Sequence, residues 1–193
     1  GRLCRRSDGT PVPLRTVSAG TRTGLVLQVD DPAQLGADIV TGAAAAVWLY
    51  GTPVAVLDFG TATVLSCVDA NRTLLGVSIA PGMQTSLDGL RGAAALIPHV
   101  ELRAPESVLG RNTADSVRAG VVYGTAAMAD GLVERTLREA HLSPDTPVVA
   151  TGGLAGLILP FCRRRMHRED ALTLYGLYRV FALTARREAL RKK

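Results

Sequence analysis

The stretch Val54 to Thr63, VAVLDFGTAT, decides how the rest of the chain is read. An apolar run, Val54 to Leu57, ends in Asp58. A small-residue turn follows (Phe59, Gly60, Thr61, Ala62), then a second strand-like run from Thr63 to Val68. A buried strand that delivers a carboxylate to its carboxyl end, beside a glycine and hydroxyls, has the makings of a phosphate or cation site. Gly60 lets the backbone approach a ligand closely. Successive N–H groups in such a turn form an anion-binding nest, and a carboxylate such as Asp58 can hold a metal ion or its bound water. An ordinary tight turn capped by Asp explains the same letters, because Asp and Gly are common turn residues. On this decapeptide alone the two readings stand level.

Working outward, Gly24 to Val29 reads as a strand broken by Asp30, Asp31 and Pro32. Pro32 suits the first position of a helix, with Asp31 as its cap. An alanine-rich helix from Pro32 or Gly36 to Tyr50 is expected to stop at Gly51 and Pro53. Beyond the opening stretch, Asp69 to Arg72 makes a reversal and Thr73 to Ala80 returns as a third strand, completing an antiparallel meander. Gln84 to Ala95 has helical period, with Leu87, Leu90 and Ala94 on one face. His99 to Leu102 reads as a short strand, and residues 103 to 113 as a loop. A long helix then runs to about Ala140, capped by Thr113 or Asp115. Its Val117, Val121, Met128 and Leu132 follow the 3.6-residue period, with Val122, Ala126 and Val133 alongside. Val148 to Ala150 leads into Thr151-Gly152-Gly153, a helix to about Cys162 follows, and a last helix is expected from Glu169 to Leu190. Two glycine-bearing turns thus lie at strand ends, where open α/β sheets bind ligands. The second opens a helix, whose N-terminus favours anions.

Composition narrows the class. The 193 residues are 47% hydrophobic and 20% charged, enough to bury a core and too apolar for disorder. Aromatics are only 4%, so small aliphatic side chains fill that core. No apolar run approaches the ~18 residues of a membrane span. Cys4, Cys67 and Cys162 are an odd, scattered set without a CxxC pair, which argues against a disulfide framework or a zinc site. A reducing cytoplasm fits. Cys67 and Cys162 read as buried small hydrophobes. The net charge of +5 gathers at Arg2, Arg5 and Arg6, at Arg163, Arg164, Arg165 and Arg168, and at Arg186, Arg187, Arg191, Lys192 and Lys193. No aromatics are interleaved with them for base stacking, so a solvated helix face and tail is preferred to a nucleic-acid surface. His99, His141 and His167 stand alone and read as surface or loop residues.

The segments DPAQLGAD (31–38), YGTPVAVLDFGTAT (50–63), LLGVSIAPGMQTSLDGL (74–90), LGRNT (109–113), SVRAGVVYG (116–124), VVATGGLAGLI (148–158) and LTLYGLYRV (172–180) occur in this order. Together they resemble type III pantothenate kinase, over roughly residues 24 to 182. The resemblance implies an α/β, ribonuclease-H-like fold of the actin-like ATPase and sugar-kinase superfamily. It also implies ATP-dependent phosphorylation of pantothenate at the start of coenzyme A biosynthesis, a cytoplasmic homodimer, and the use of Mg²⁺ and a monovalent cation, K⁺ or NH4⁺. Carried over by motif, Asp38 would be the catalytic base, accepting a proton from the attacking hydroxyl. Gly36, Ala37, Ile39 and Thr113 would contact pantothenate. Gly60, Thr61, Gly152 and Gly153 would face ATP, and Asp58 would hold the monovalent cation. Asp38 stands where a helix dipole favours a negative charge, so a plain helix-end carboxylate is the simpler reading of the residue alone; the match of position to the family motif favours the catalytic one.

Two departures from the pattern shape the expectation. The phosphate loop of DxGNT type that opens the family is not found, since Ser7-Asp8-Gly9-Thr10 has no strand before it. The GADR of the family becomes Gly36-Ala37-Asp38-Ile39, and Arg and Ile are not interchangeable at a polar contact. The chain is therefore expected to hold a remnant of the first ribonuclease-H-like half over residues 1–50 and a complete second half over 51–193. It is read as an N-terminally incomplete or degenerate member. A catalytically inactive, pantothenate-kinase-like binding or regulatory protein is the alternative expectation.

Overall fold

Four alanines in a row, Ala43 to Ala46, sit in the middle of helix α1 (Ala37–Tyr50), and their small size sets the architecture. Val40 and every residue from Thr41 to Ala46 is buried, so this helix is enclosed on all sides at its centre. Ala43, Ala45 and Ala46 pack on Val54, Val56, Val68, Leu74 and Val149 of the sheet and on Leu172 of the last helix. Only small side chains let a helix fit between two such layers. In this computed structural model, the described residues are 7–10, 12, 16–18, 20–94 and 96–191, with side chains described to residue 185. Cys4 and the basic residues Arg2, Arg5, Arg6, Lys192 and Lys193 lie outside them, as do the side chains of Arg186, Arg187 and Arg191.

The remaining elements are β1 (Val26–Leu27), β2 (Val54–Phe59), β3 (Ala62–Val68), β4 (Thr73–Pro81), α2 (Met83–Ala93), α3 (Thr113–Glu139), β5 (Val148–Thr151), α4 (Ala155–Ile158), a short 3-10 turn (Leu159–Phe161), β6 (His167–Arg168) and α5 (Leu172–Arg191). The strands form one sheet in the order β1-β4-β3-β2-β5-β6. β2, β3 and β4 make the expected antiparallel meander, while β5 lies parallel to β2 and β6 parallel to β5. A meander whose first strand continues into parallel strands is the ribonuclease-H-like arrangement, and the α/β expectation holds.

Strand alternation assigns the two faces. Ala55, Leu57 and Phe59 of β2 point to one face, where Leu65, Cys67 and Ala150 join them beneath Val122, Ala126, Ala129, Val133 and Leu137 of α3. Val54 and Val56 point to the other face, against α1. Each large aliphatic side chain so buried contributes roughly 1.5–3 kcal/mol before chain entropy is counted. The buried stripe of α3 is the one the sequence reading put alongside. Val121, Met128 and Leu132 are only partly buried at its margin.

Several expectations at element ends are corrected. Asp31 does not cap α1; its Oδ1 accepts from Ala33 N in a local turn, and the helix begins six residues later at Ala37 behind Gly36. The cap of α3 is Asn112, whose side chain accepts from Asp115 N at 2.9 Å. Thr113 is therefore the first helical residue. His99 to Leu102 is irregular, because Val100 turns into a small cluster with Leu87 and Val117 and the segment joins no strand. Leu90, expected on the buried face of α2, is 41% exposed. Arg163 to Arg165 lie in the connection before β6, on no helix. β6 escaped the sequence reading because two residues carry no periodicity. Cys67 is buried and Cys162 partly so; burial pushes both thiols up to about 11. His99 and His141 are exposed, as is His167, whose ring lies tilted with its centroid 4.7 Å from that of Tyr50. No described helix is long and apolar enough to cross a membrane.

Candidate active site

The helix–strand hairpin of α1 and β2 sets Asp38 and Asp58 near enough for the charge of one to act on the other. α1 ends at Gly51, and a three-residue connection with a cis Thr52–Pro53 bond turns the chain straight into β2. The two elements therefore run in opposite directions, and the start of α1 lies near the end of β2. Asp58 occupies the third position of the face that Val54 and Val56 present to α1. Asp38 is the second residue of α1, and its carboxylate folds back over Gly36. A Cβ on Gly36 would collide with Asp38 Oδ1 and approach Ile39 Cδ1 to 3.5 Å. The sequence Gly36-Ala37-Asp38-Ile39 thus packs two side chains against the vacant position of its own glycine.

The electrostatics agree with that approach. Burial pushes the Asp58 carboxyl above its ordinary value of 3.8, and the negative charge of Asp38 pushes it further in the same direction. A partly buried carboxylate with a second negative charge nearby is disfavoured in its ionised form, and the folded state bears the cost. A raised pKa means that the protonated form of Asp58 favours folding. Its contribution is present below the ordinary value and is lost as pH rises through the folded one. Asp58→Asn should accordingly raise the melting temperature of the free protein at neutral pH, with the gain vanishing below a pH of about 4. Thermal melts across pH check this; a lower melting temperature at pH 7 in the variant would contradict the repulsion.

The two glycine-bearing turns flank this pair. Asp58 lies opposite Thr151 in the parallel β2–β5 ladder, so both turns leave the sheet side by side. Gly152 has φ +94°, and a Cβ there would fall on Asp58 Oδ1 and stand 2.6 Å from the Phe59 carbonyl oxygen. Only glycine meets both conditions. On the far side, the Thr61 carbonyl accepts from Gly82 N at 3.0 Å and from the Thr85 hydroxyl at 2.7 Å, fixing the first turn to the start of α2.

Two details of the expected phosphate cradles change. Gly60 N–H donates to the Ala62 carbonyl at 3.0 Å and is not a free nest donor. After Thr151-Gly152-Gly153, Leu154 N donates to Phe59 O and Ala155 N to Gly152 O. The helix that follows, Ala155–Ile158, is a single turn, too short to build a strong dipole.

A cleft of about 240 Å³ opens beside Asp58, lined by Asp58, Thr151, Gly152, Gly153, Arg168, Asp170 and Thr173. Of the last three, the sequence marks Arg168 only as one of a basic group, and Asp170 and Thr173 not at all. Arg168 donates to Asp170 through Nε at 2.7 Å and through Nη2 at 2.9 Å, a two-pronged pairing. The pairing's only mark in the sequence is the tripeptide Arg168-Glu169-Asp170 ahead of LTLYG. Thr113 lies elsewhere, exposed at the start of α3. Its neighbour Asn112 donates to the Asp115 carboxylate, which also pairs with the buried Arg118, and Arg118 Nε reaches the Glu101 carbonyl at 3.1 Å. No hydrogen bond among the described residues ties Thr113 to Asp38 or Asp58.

The family model described as type III pantothenate kinase matches residues 3–135. This chain belongs to that family. Type III pantothenate kinases of known sequence resemble it over most of its length. That of Frankia casuarinae is 42% identical over 170 residues, covering 88% of this chain and 67% of the relative. That of Shouchella clausii is 42% identical over 180 residues, covering 93% and 69%, and that of Thermobifida fusca is 41% identical with the same coverage. The chain thus spans about two thirds of the length of these pantothenate kinases. Among solved structures, a protein of Campylobacter jejuni described as a Baf family transcriptional activator superposes with a TM-score of 0.58 at 16% identity. It covers 85% of this chain and 71% of its own, a likeness that bears on the fold alone.

Proposed function

We propose that this protein transfers the γ-phosphoryl group of ATP to the hydroxyl of pantothenate, giving phosphopantothenate for coenzyme A biosynthesis. The observation that carries the reading is Asp58 in a cleft walled by Thr151, Gly152 and Gly153, within reach of the charge of Asp38, in a chain of the type III pantothenate kinase family. Asp38 is the exposed member of the pair and is free to meet an acceptor. It takes the proton of the pantothenate hydroxyl as the new O–P bond forms; the bond from phosphorus to the β,γ-bridging oxygen breaks, and ADP leaves with that electron pair. Gly36, Ala37 and Ile39 line the acceptor side, with Thr113 as a further pantothenate contact. Gly60, Thr61, Gly152 and Gly153 border the ATP phosphates.

The donors around Asp58 suit a monovalent cation. Asp58 Oδ1 and the Phe59 carbonyl oxygen both close on the space beside Gly152, and oxygen donors suit hard cations. K⁺ or NH4⁺ bound there would supply positive charge that relieves the Asp38–Asp58 repulsion. Among the described residues no three His, Cys, Asp or Glu side chains gather to hold a metal. Mg²⁺ is accordingly assigned to the nucleotide, since it commonly binds through few carboxylates and the substrate phosphates. We further assign the chain to a cytoplasmic homodimer, with residues 1–50 as the end of a first ribonuclease-H-like half and 51–193 as the second.

The test is ADP release measured with ATP and pantothenate in potassium, ammonium and sodium buffers. Release that requires both substrates and is faster in K⁺ or NH4⁺ than in Na⁺ is expected. ADP release indifferent to pantothenate, or none at all, overturns the reading.

A further inference from the structure

Arg168 stands in the cleft with the geometry of a prepared flat surface. It ends β6, one strand beyond the Thr151-Gly152-Gly153 turn, and lines the same cleft as Asp58. Both prongs of its fork, Nε and Nη2, are engaged by Asp170, which fixes the guanidinium plane. Its position also depends on Gly156. A Cβ on Gly156 would lie 2.7 Å from Nη1, 3.0 Å from Cζ and 3.1 Å from Nη2 of Arg168. Near-equal distances to all three atoms mean that the flat side of the guanidinium, not its edge, faces the glycine. The side chain remains 51% exposed and lines the cleft on the side away from Gly156's turn.

We infer that the face of Arg168 turned away from Gly156 is the platform on which the purine ring of the nucleotide stacks. The inference deepens the kinase reading and rests on it. Two properties select a planar ring over a phosphate. Planar, weakly hydrated guanidinium groups stack on aromatic faces. The Asp170 carboxylate already offsets the positive charge and would repel a phosphate brought to the same place, whereas a neutral ring pays neither cost. Stacking on the free face also leaves the Arg168–Asp170 pairing intact, so nothing must be broken for the base to bind.

The experiment compares two ligands on the full chain by calorimetry: ATP, and inorganic tripolyphosphate, which has the phosphates without the base. Arg168→Ala should weaken ATP binding by about tenfold and leave tripolyphosphate binding unchanged. Arg168→Lys, which keeps the charge and loses the plane, should bind ATP as weakly as Arg168→Ala. Gly156→Ala should also weaken ATP alone, because its methyl group displaces the guanidinium while the flexible arginine absorbs the clash and the fold survives. Equal losses for both ligands, rescue by lysine, or unaltered ATP binding in Arg168→Ala would each overturn the stacking role while leaving the kinase reading in place. A wild-type chain that binds neither ligand overturns both.

Discussion

Asp38→Asn is expected to lower the rate of phosphopantothenate formation by about 10²–10⁴-fold, the usual contribution of a positioned general base. The loss should fall on kcat, with little change in the KM for ATP, because asparagine keeps the shape and forfeits only the capacity to take a proton. The fold should not suffer. Asp38 is exposed on the first turn of α1 and makes no described hydrogen bond through its carboxylate. Its removal also takes away the charge that burdens Asp58, so the melting temperature should hold or rise slightly. Steady-state kinetics beside a thermal melt separates these outcomes. Wild-type turnover in the variant would move the base elsewhere, whereas a lost rate with a collapsed melt would make Asp38 a structural residue.

Gly176→Ala should produce the largest loss of stability. Gly176 is buried where α5 crosses α1, and a Cβ there would land on the Thr41 carbonyl, 2.5 Å from its carbon and 2.9 Å from the Thr41 Cβ. Two effects oppose each other. Alanine inside a helix is favoured over glycine by roughly 0.5–1 kcal/mol. Overpacking a tight contact costs about 1–3 kcal/mol, and here the obstacle is backbone, which cannot rotate away. The clash wins, and a melting temperature lower on the order of 10 °C is expected if the cost reaches about 3 kcal/mol. Gly120→Ala is the matched comparison: it also lies in a helix, α3, but its Cβ meets nothing within 4 Å. That substitution should stabilise by roughly 0.5–1 kcal/mol. A pair of variants that shift the melt the same way would refute the crossing argument.

The parts of the fold legible in the sequence were those written in repetition or punctuation. The meander from Val54 to Pro81 followed from apolar runs broken by Gly60 and by Asp69 to Arg72, and the end of α1 followed from Gly51 and Pro53. Element starts were less legible, because a cap is chosen by geometry among several competent residues. Asp31, Thr113 and Asp115 were all plausible caps, and Gly36 and Asn112 hold the positions. Asp58 announced itself by ending an apolar strand, but its neighbour Asp38 lies twenty positions away, and the α1–β2 hairpin that joins them is a tertiary fact. Arg168 is hidden for another reason: it reads as one more basic residue of the surface, and nothing in its local sequence says that a glycine twelve positions earlier has made room for it.

The crossing of α5 over α1 also orders events in time. α1, which carries Asp38, is enclosed at its centre by the sheet on one side and by Leu172 and Gly176 of α5 on the other. During synthesis α5 leaves the ribosome after every other element of this fold, and β5, which supplies Thr151 beside Asp58, is itself a late arrival. A nascent chain that has made α1 and the meander therefore holds Asp38 on a helix that lacks its α5 contacts. A chain halted before residue 172 would leave the α5 side of α1, around Thr41 and Ala43 to Ala46, uncovered.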